Sequence, residues 1–349
     1  MKKQLFLFLL IMLVAIMIAG CGAEAPAPEA EPAVEAEVPE ADPAAEPISI
    51  SIGHILIDGN PGKTLMEDMA ANVAERTEGR VTIELFPNGT LGSEGDMVEQ
   101  ISMGTLDGGL IAVGTLQSFD KRFAIEDLPY MWKDVAYCRD AYKGEFGQYL
   151  GEVMTEYGYK TISYQEYGVR HVSNNIRPVT EPEDMAGIRI RVAQTQLRVD
   201  AFEQLGAIPT IMAKSELYQS LQQGIVDGTE GPLADLYNQG FYEAQKYCSL
   251  TGHFVTTMML YLRQDIWDQI SPEDQAVILE EALVMQDQVC VENDQAETDA
   301  LALLEAGGVA INDDVDTAAM REEMSPVYEK WADTFGEDLM SIYYDSCGW

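Results

Sequence analysis

Apolar and polar positions alternate at the start of the folded part of the chain and then change to a helical spacing. Residues 48–52 alternate as a half-buried strand does, and three apolar residues between positions 65 and 73 recur every four residues. Residues 81–86 predict a second strand, which the turn-forming sequence Pro87-Asn88-Gly89 ends. The pattern therefore predicts a strand, a helix and a strand in succession.

The same alternation continues along the chain. Ser93 and the acidic residues after it suit the N-terminus of a helix, which leads to an apolar run over residues 110–113. Farther on, a strand over residues 188–192 precedes helices over about 196–205 and 215–223. Alternating strands and helices predict an α/β protein with parallel sheets flanked by helices.

Ligands of such sheets bind beyond the carboxyl ends of the strands. Glycine-containing pairs interrupt several of the predicted strands at those ends. They are candidate cleft positions: Gly53-His54, Gly114-Thr115 and Tyr167-Gly168.

The C-terminal third is predicted to be mainly helical. Ser271-Pro272-Glu273-Asp274 combines an N-cap serine, a proline in the first turn and an acid three residues after the serine. The helix that it begins extends to Gly307-Gly308, which is long enough to brace two domains. A final amphipathic helix is predicted over about residues 316–343.

The N-terminus predicts a targeting segment followed by a linker. Residues 1–21 have a basic start and an apolar run too short for a comfortable membrane span. They end in Ile18-Ala19-Gly20-Cys21, which resembles a bacterial lipobox, so Cys21 is the expected lipidated N-terminus and membrane tether. The alternative is a plain secretory signal with an incidental cysteine. Residues 22–47 are almost entirely Ala, Glu and Pro, which predicts a disordered linker.

The amino-acid composition limits the size of the fold and the classes of binding partner. Residues 48–349 suffice for two domains with full cores. The chain has 59 acidic residues against 21 Lys and Arg, a formal net charge of −38, which argues against nucleic acids and anionic membrane surfaces as partners. Four further cysteines have no C-x-x-C spacing, and the sequence leaves their pairing open: Cys138, Cys248, Cys290 and Cys347.

Two arginines are the most informative candidates for chemistry. Arg170 and Arg191 follow or lie in predicted strands, where an α/β protein would hold an anion. An arginine donates two parallel, charge-assisted hydrogen bonds to a carboxylate, and an acidic chain that binds an anion needs a few sheltered cations of this kind. The alternative is that both arginines form ordinary surface salt bridges with the abundant acids.

The residues give no support for catalysis. The three histidines are far apart with no metal-ligand spacing, no serine has a nucleophile-elbow setting, and no glycine-rich phosphate loop follows a strand. We therefore predict no enzyme activity, no catalytic residue, no bound metal and no cofactor.

Several separate motifs carry a resemblance to a known family over about residues 48–340. The chain resembles the extracytoplasmic solute-binding proteins of tripartite ATP-independent periplasmic (TRAP) transporters, in the dicarboxylate-binding (DctP-type) branch. The motifs are Phe86-Pro-Asn-Gly-x-Leu-Gly92, Gly104-Thr-Leu-Asp107, Asp127-Leu-Pro-Tyr130, Arg170-His-Val-Ser-Asn-Asn-Ile-Arg-Pro178, Asp184-Met-Ala-Gly-Ile-Arg-Ile-Arg191-Val192, Leu205-Gly-Ala-Ile-Pro-Thr210, Leu221-Gln-Gln-Gly-Ile-Val-Asp-Gly228 and Trp267-x-x-Ile-Ser-Pro-Glu-Asp274.

The resemblance implies a two-domain α/β fold of the periplasmic-binding-protein type (class II), with a ligand cleft between lobes, crossing strands and a long bracing helix. Lobe I is expected to comprise residues 48–168 and about 257–296. Lobe II is expected to comprise residues 169–256 and about 297–349.

The implied function is capture of a small organic acid anion outside the cytoplasm and delivery to the membrane subunits of a TRAP permease. The protein is expected to act as a monomer in the periplasm or at the outer face of the cell membrane. The alternative is a ligand-sensing receptor of the same fold that feeds a signalling system. Which acid is bound, and whether it has one or two carboxylates, stays open.

By family position, Arg191 is the arginine that grips the ligand carboxylate, and Arg170 is the second cleft arginine. Other positions that match family contacts are His54, Gly114, Thr115, Glu166, Lys214, Gly231 and His253.

The chain departs from the family pattern at three cleft positions. Many members have asparagine at the position of Gly231, an aromatic or apolar residue at Lys214, and proline at Ala193. Lys214 is either a third cleft cation or a solvated residue at a helix start, and the second alternative is favoured.

Overall fold

The computed structural model describes residues 47–349. The predicted targeting segment (1–21), its Cys21 and the linker (22–47), apart from Pro47, lie outside the described residues. Within residues 47–349, no helix has both the length and the apolarity to cross a membrane.

A mixed β-sheet runs through the described part of the chain. The strand order is β2-β1-β3-β8-β4-β7-β5-β6, and β9 pairs with β8. Its strands are β1 (Ile48–His54), β2 (Val81–Phe86), β3 (Gly108–Ala112), β4 (Tyr159–Asn174), β5 (Arg189–Val192), β6 (Ile208–Ile211), β7 (Gly228–Gly231), β8 (Tyr247–Arg263) and β9 (Ala310–Asn312).

Parallel pairing holds each half of the sheet together, and two long antiparallel strands join the halves. In one half β1 pairs in parallel with β2 and β3, and in the other β5 pairs in parallel with β6 and β7. Strands β4 and β8 are antiparallel and pass through both halves. The predicted α/β class and the crossing strands are confirmed.

The helices cover both faces of the sheet. They are α1 (Pro61–Arg76), α2 (Glu94–Met103), α3 (Val135–Lys143), α4 (Glu145–Glu156), α5 (Gln196–Gln204), α6 (Lys214–Gln222), α7 (Leu233–Asn238), α8 (Gln264–Trp267), α9 (Pro272–Ala306), α10 (Thr317–Glu323) and α11 (Ser325–Ser346). Short 3₁₀ turns follow β3 at Val113–Ser118 and Lys121–Asp127.

The predicted helix starts are present. Ser93 caps α2 in a capping box, since its Oγ accepts from the Asp96 amide and the Asp96 carboxylate accepts from the Ser93 amide. Ser271 Oγ accepts from the amide of Asp274 at the start of α9, with Pro272 in the first turn. The 35-residue α9 packs against α1, β4 and α7, so it contacts both halves as the predicted bracing helix.

Strand β4 is irregular where it passes between the halves. Its register with β8 shifts between Glu166 and Gly168 and again between Arg170 and Val172. Gly168 has a φ of 134°, a conformation that residues with a Cβ rarely adopt. The bulges reorient the side chains of this segment, on which two of the predicted site residues lie.

The prediction of one final helix over 316–343 is wrong. The chain forms α10 and then α11, with Pro326 in the first turn of α11, where its missing N–H costs no helical hydrogen bond. Gly336, at φ 78°, bends α11 further. Within the described residues the four cysteines at 138, 248, 290 and 347 are free thiols.

Candidate functional site

A cavity of about 540 Å³ lies beyond the ends of the strands in both halves of the sheet. This is the position expected for a ligand in a sheet of this kind. Its wall includes these predicted site residues: Gly114, Thr115, Arg170, Arg191, Lys214 and Gly231. Of the candidate cleft positions at the breaks in the strands, Gly114, Thr115 and Tyr167 line the cavity, whereas Gly53, His54 and Gly168 do not.

Arg191 is a buried cation without a salt bridge to any residue in the described range. It lies in β5 and is 6 % exposed, and its Nε donates to the Met212 carbonyl at 3.0 Å. Burial lowers the pKa of Arg191 to about 10, with the like charges of Arg170 and Arg198 acting in the same direction. The guanidinium is still charged at neutral pH, so it can bind an anion in the cavity.

Arg170 also reaches the cavity, but a carboxylate of the protein neutralises it. Register places Glu230 of β7 beside Val172 of β4. Arg170 Nη2 donates to Glu230 Oε1 and to the Glu230 carbonyl, both at 2.9 Å, and its Nε donates to Oε2. The side chains of both partners, Arg170 and Glu230, are buried.

Arg198 of α5 was missed by the sequence reasoning. Its Nε donates to Asp127 Oδ1 at 2.7 Å, its Nη1 to Glu230 Oε1 at 3.1 Å and its Nη2 to Thr256 Oγ1 at 3.3 Å. Arg170 and Arg198 both lower the pKa of Glu230, despite the burial that opposes ionisation. The sequence feature that pointed to such a cation was Asp127 in the Asp127-Leu-Pro-Tyr130 motif, because a carboxylate in an apolar segment needs a buried cation as its partner.

Gly114 is required by the close approach of Asp127. A Cβ at Gly114 would lie 2.5 Å from Asp127 Oδ2. Because Arg198 holds that carboxylate, we expect Gly114→Ala to lower the free energy of unfolding by about 1–3 kcal/mol. The measurement is urea denaturation.

Gly151→Ala in α4 is the matched control. A Cβ there would meet nothing closer than 3.6 Å, and alanine favours the helix by up to about 1 kcal/mol. Equal stabilities of the two variants would contradict the steric account of Gly114.

Lys214 points into the cavity, so the favoured prediction of a solvated residue is wrong. Its Nζ lies 2.5 Å from Asp235 Oδ2 and 2.5 Å from Tyr167 Oη. Tyr167 Oη also donates to Asp235 Oδ2 at 2.5 Å. The carboxylate on α7 supplies a counter-charge that sequence spacing does not reveal. A Cβ at Gly231 would meet only Arg170 Nη2, at 3.7 Å, so this position leaves open space.

Glu94, at the first position of α2, is a further cavity residue that the sequence reasoning missed. Its carboxylate accepts from the Ala112 amide at 2.7 Å and lies 3.5 Å from Thr115 Oγ1. No residue in the range 47–349 forms a salt bridge with it. Burial raises the pKa of Glu94 above its usual range.

Three predicted site residues do not line the cavity. His54 is fully buried, and its Nδ1 accepts from the Leu56 amide. Glu166 pairs with Arg139 and faces α9. Side chains alternate between the two faces of β4, and at the bulge it is the Tyr167 side chain that reaches the cavity. His253 lies behind Glu230, with Nε2 3.5 Å from Glu230 Oε2.

The buried histidines are neutral at neutral pH. Burial lowers the pKa of His54 to about 4 and that of His171, on the cavity wall, to about 3. We therefore expect NMR titration of the imidazole protons to give these midpoints, and about 6.5 in the urea-unfolded chain. The unfolded chain binds these protons at a higher pH than the folded protein does. Each histidine therefore destabilises the folded state increasingly as the pH falls from about 6.5 to the pKa of that histidine in the folded protein. A midpoint near 6.5 for His54 in the folded protein would contradict its burial.

The fold and the cavity together define a two-lobed binding protein of the periplasmic type. The chain belongs to the bacterial extracellular solute-binding protein family 7 (DctP), whose family model matches residues 52–334. These are extracytoplasmic binding proteins of TRAP transporters and not enzymes. Within residues 47–349, no group of three or more His, Cys, Asp or Glu is arranged to hold a metal ion.

Individual relatives agree with this assignment. The chain is similar to a solute-binding protein of Verminephrobacter eiseniae, 30 % identical over 272 residues, 78 % of this chain and 81 % of the relative. Among solved structures it is similar to a TRAP solute-binding protein of a Sulfitobacter species with bound β-D-galacturonate (28 % identity, TM-score 0.81, 86 % and 99 % coverage). A TRAP solute-binding protein of Sulfurospirillum deleyianum with bound succinate is also similar (26 % identity, TM-score 0.79, 85 % and 98 % coverage).

Proposed function

We propose that the protein captures a small organic acid through a bidentate pair between the ligand carboxylate and the Arg191 guanidinium, and delivers it to the TRAP permease. The observation that carries this proposal is the charge state of Arg191. It is a buried guanidinium on the cavity wall that no carboxylate of the described chain neutralises. A ligand carboxylate supplies the missing counter-charge and accepts the remaining N–H groups.

The acidity of the chain does not oppose this binding. Charges on the outer surface are screened beyond about 8 Å at physiological ionic strength. Inside the cavity the effective dielectric constant is lower, so the nearby guanidinium acts on the ligand more strongly than distant carboxylates do.

Ligand entry requires the cavity to open, and we propose a hinge at the crossing strands between lobe I (48–168 and about 257–296) and lobe II (169–256 and about 297–349). Asn238 Nδ2, at the end of α7, donates to the Gly59 carbonyl in the β1–α1 loop at 3.2 Å. This contact links the two proposed lobes and has to break on opening. Helix α11 contacts both, through Trp331 to Asp200 and Tyr343 to Met131, so it bends or slides during the motion.

The test is isothermal titration calorimetry of the full-length protein with β-D-galacturonate and succinate, the acids bound by the two similar structures. Galactose and succinamide are the matched uncharged controls. We expect binding of at least one acid and of neither control. Equal affinity for an acid and its uncharged analogue would overturn the role of Arg191.

We further propose that Cys21 carries the lipid that tethers the protein to the outer face of the cell membrane, where it acts as a monomer. The lipobox and the linker of residues 22–47 support this. Cys21→Ser is expected to release the protein from the membrane fraction, and intact mass spectrometry detects the acyl chains on the wild type. Mature protein cleaved elsewhere and free of lipid would contradict the tether.

A further inference from the structure

We infer that the ligand carries a single carboxylate on a hydroxylated carbon skeleton, as in a sugar monoacid. This inference rests on the proposed function and concerns the end of the ligand away from Arg191. It follows from the pairing of charges around the cavity.

Every other cavity cation already has a carboxylate partner in the protein. Arg170 is paired with Glu230, and Arg198 lies between Glu230 and Asp127. Lys214 is paired with Asp235. Within the described residues, a second ligand carboxylate therefore finds no unpaired cation at the cavity wall.

An acid without a charged partner also lies at the wall. Glu94 lies at the cavity without a salt bridge from residues 47–349. A second carboxylate would be desolvated in the cavity without an unpaired cation to compensate it, and with the Glu94 carboxyl group on the same wall. A dicarboxylate is disfavoured for this reason.

The same wall suits hydroxyl groups. The Glu94 carboxylate accepts hydrogen bonds when ionised and donates one when protonated, while Tyr167 Oη and Lys214 Nζ offer further partners. The lack of a side chain at Gly231 leaves room beside Arg170.

The experiment is a calorimetric titration of the full-length protein with acyclic ligands that differ only at their ends. Galactonate, galactarate and galactitol have one, two and no carboxylates on the same carbon chain, and gluconate, glucarate and glucitol repeat the series. Succinate tests an acid without hydroxyls. We expect a monoacid to bind most tightly, and its diacid at least about tenfold more weakly.

A variant tests the cause of this selectivity. Asp235→Asn removes the partner of Lys214 and creates an unpaired cation, so the ratio of diacid to monoacid affinity should rise at least about tenfold. Asp287→Asn, which alters an exposed pair with Lys143, should leave the ratio unchanged. A general loss of stability does not move this ratio in favour of the diacid.

The outcomes separate the inference from the proposed function. Tightest binding of a diacid or of succinate overturns the inference and leaves carboxylate capture intact. An unchanged ratio in Asp235→Asn also overturns it. Binding of the polyols alone overturns the proposed function itself.

Discussion

Replacing Arg191 by alanine is expected to weaken binding of the preferred acid by more than about 2 kcal/mol, roughly a 30-fold rise in Kd. The ligand carboxylate would still be desolvated on entering the cavity. It would lose the one cation of the described cavity wall that no protein carboxylate pairs with. The other cavity cations cannot substitute, since Glu230, Asp127 and Asp235 neutralise them. The measurement is calorimetry with the tightest-binding acid of the panel above.

Arg189→Ala is the matched control. Arg189 lies two residues away on the same strand, but it pairs with Asp227 at the surface, so its loss should leave the Kd nearly unchanged. Arg191→Lys keeps the charge without the planar fork and should give an intermediate affinity. Near-native affinity of Arg191→Ala would contradict its role.

Glu230→Gln is expected to lower the free energy of unfolding by about 3–5 kcal/mol, because it leaves two buried guanidinium groups with one carboxylate between them. The side chains of Arg170, Arg198 and Glu230 are all buried, so water cannot replace the lost charge. Urea denaturation at neutral pH measures the change.

The pH dependence provides a second signature of Glu230. The folded protein holds its pKa well below the usual value of a glutamate. Its stabilising contribution is therefore complete above about pH 4.5 and is lost as the pH falls below that value. Wild type and Glu230→Gln should converge in stability in acid.

The exposed pair of Lys143 and Asp287 provides the control for this prediction as well. Because both side chains are largely in water, Asp287→Asn should cost less than about 1 kcal/mol. A similarly small effect of Glu230→Gln would show that the buried cluster contributes nothing beyond an ordinary surface pair.

Much of the cavity could be predicted because parallel strands end at the same edge of a sheet. That rule placed Gly114 and Thr115 after β3 at the cavity, and Tyr167 in β4, but it failed for Gly53 and His54 at the end of β1. Glu166, expected at the cleft from the family resemblance, lies away from the cavity, since a one-residue bulge in a strand exchanges the two faces. A bulge between Glu166 and Gly168 depends on pairing with β8 and has no local sequence signal.

The charged residues were harder to predict than the strands. Arg198 lies on a short helix in which an arginine is normally solvated, and only folding brings it to Asp127 and Glu230. Lys214 was expected in solvent for the same reason, and Asp235 is what holds it inside. Opposite charges far apart in the chain attract strongly once both are buried, and sequence does not record that distance.

The amino-acid sequence alone determined the α/β class, the crossing and bracing elements, the helix starts and the acidic character of this protein. The α/β class, the long helix, the helix starts and the acidic character follow from local periodicity, capping and composition, and the crossing strands are what the family resemblance implies. Only the tertiary structure decided which cations are paired and which one is left for a ligand. That depends on distances of a few ångströms between residues up to 71 positions apart, which are set by packing of the whole chain.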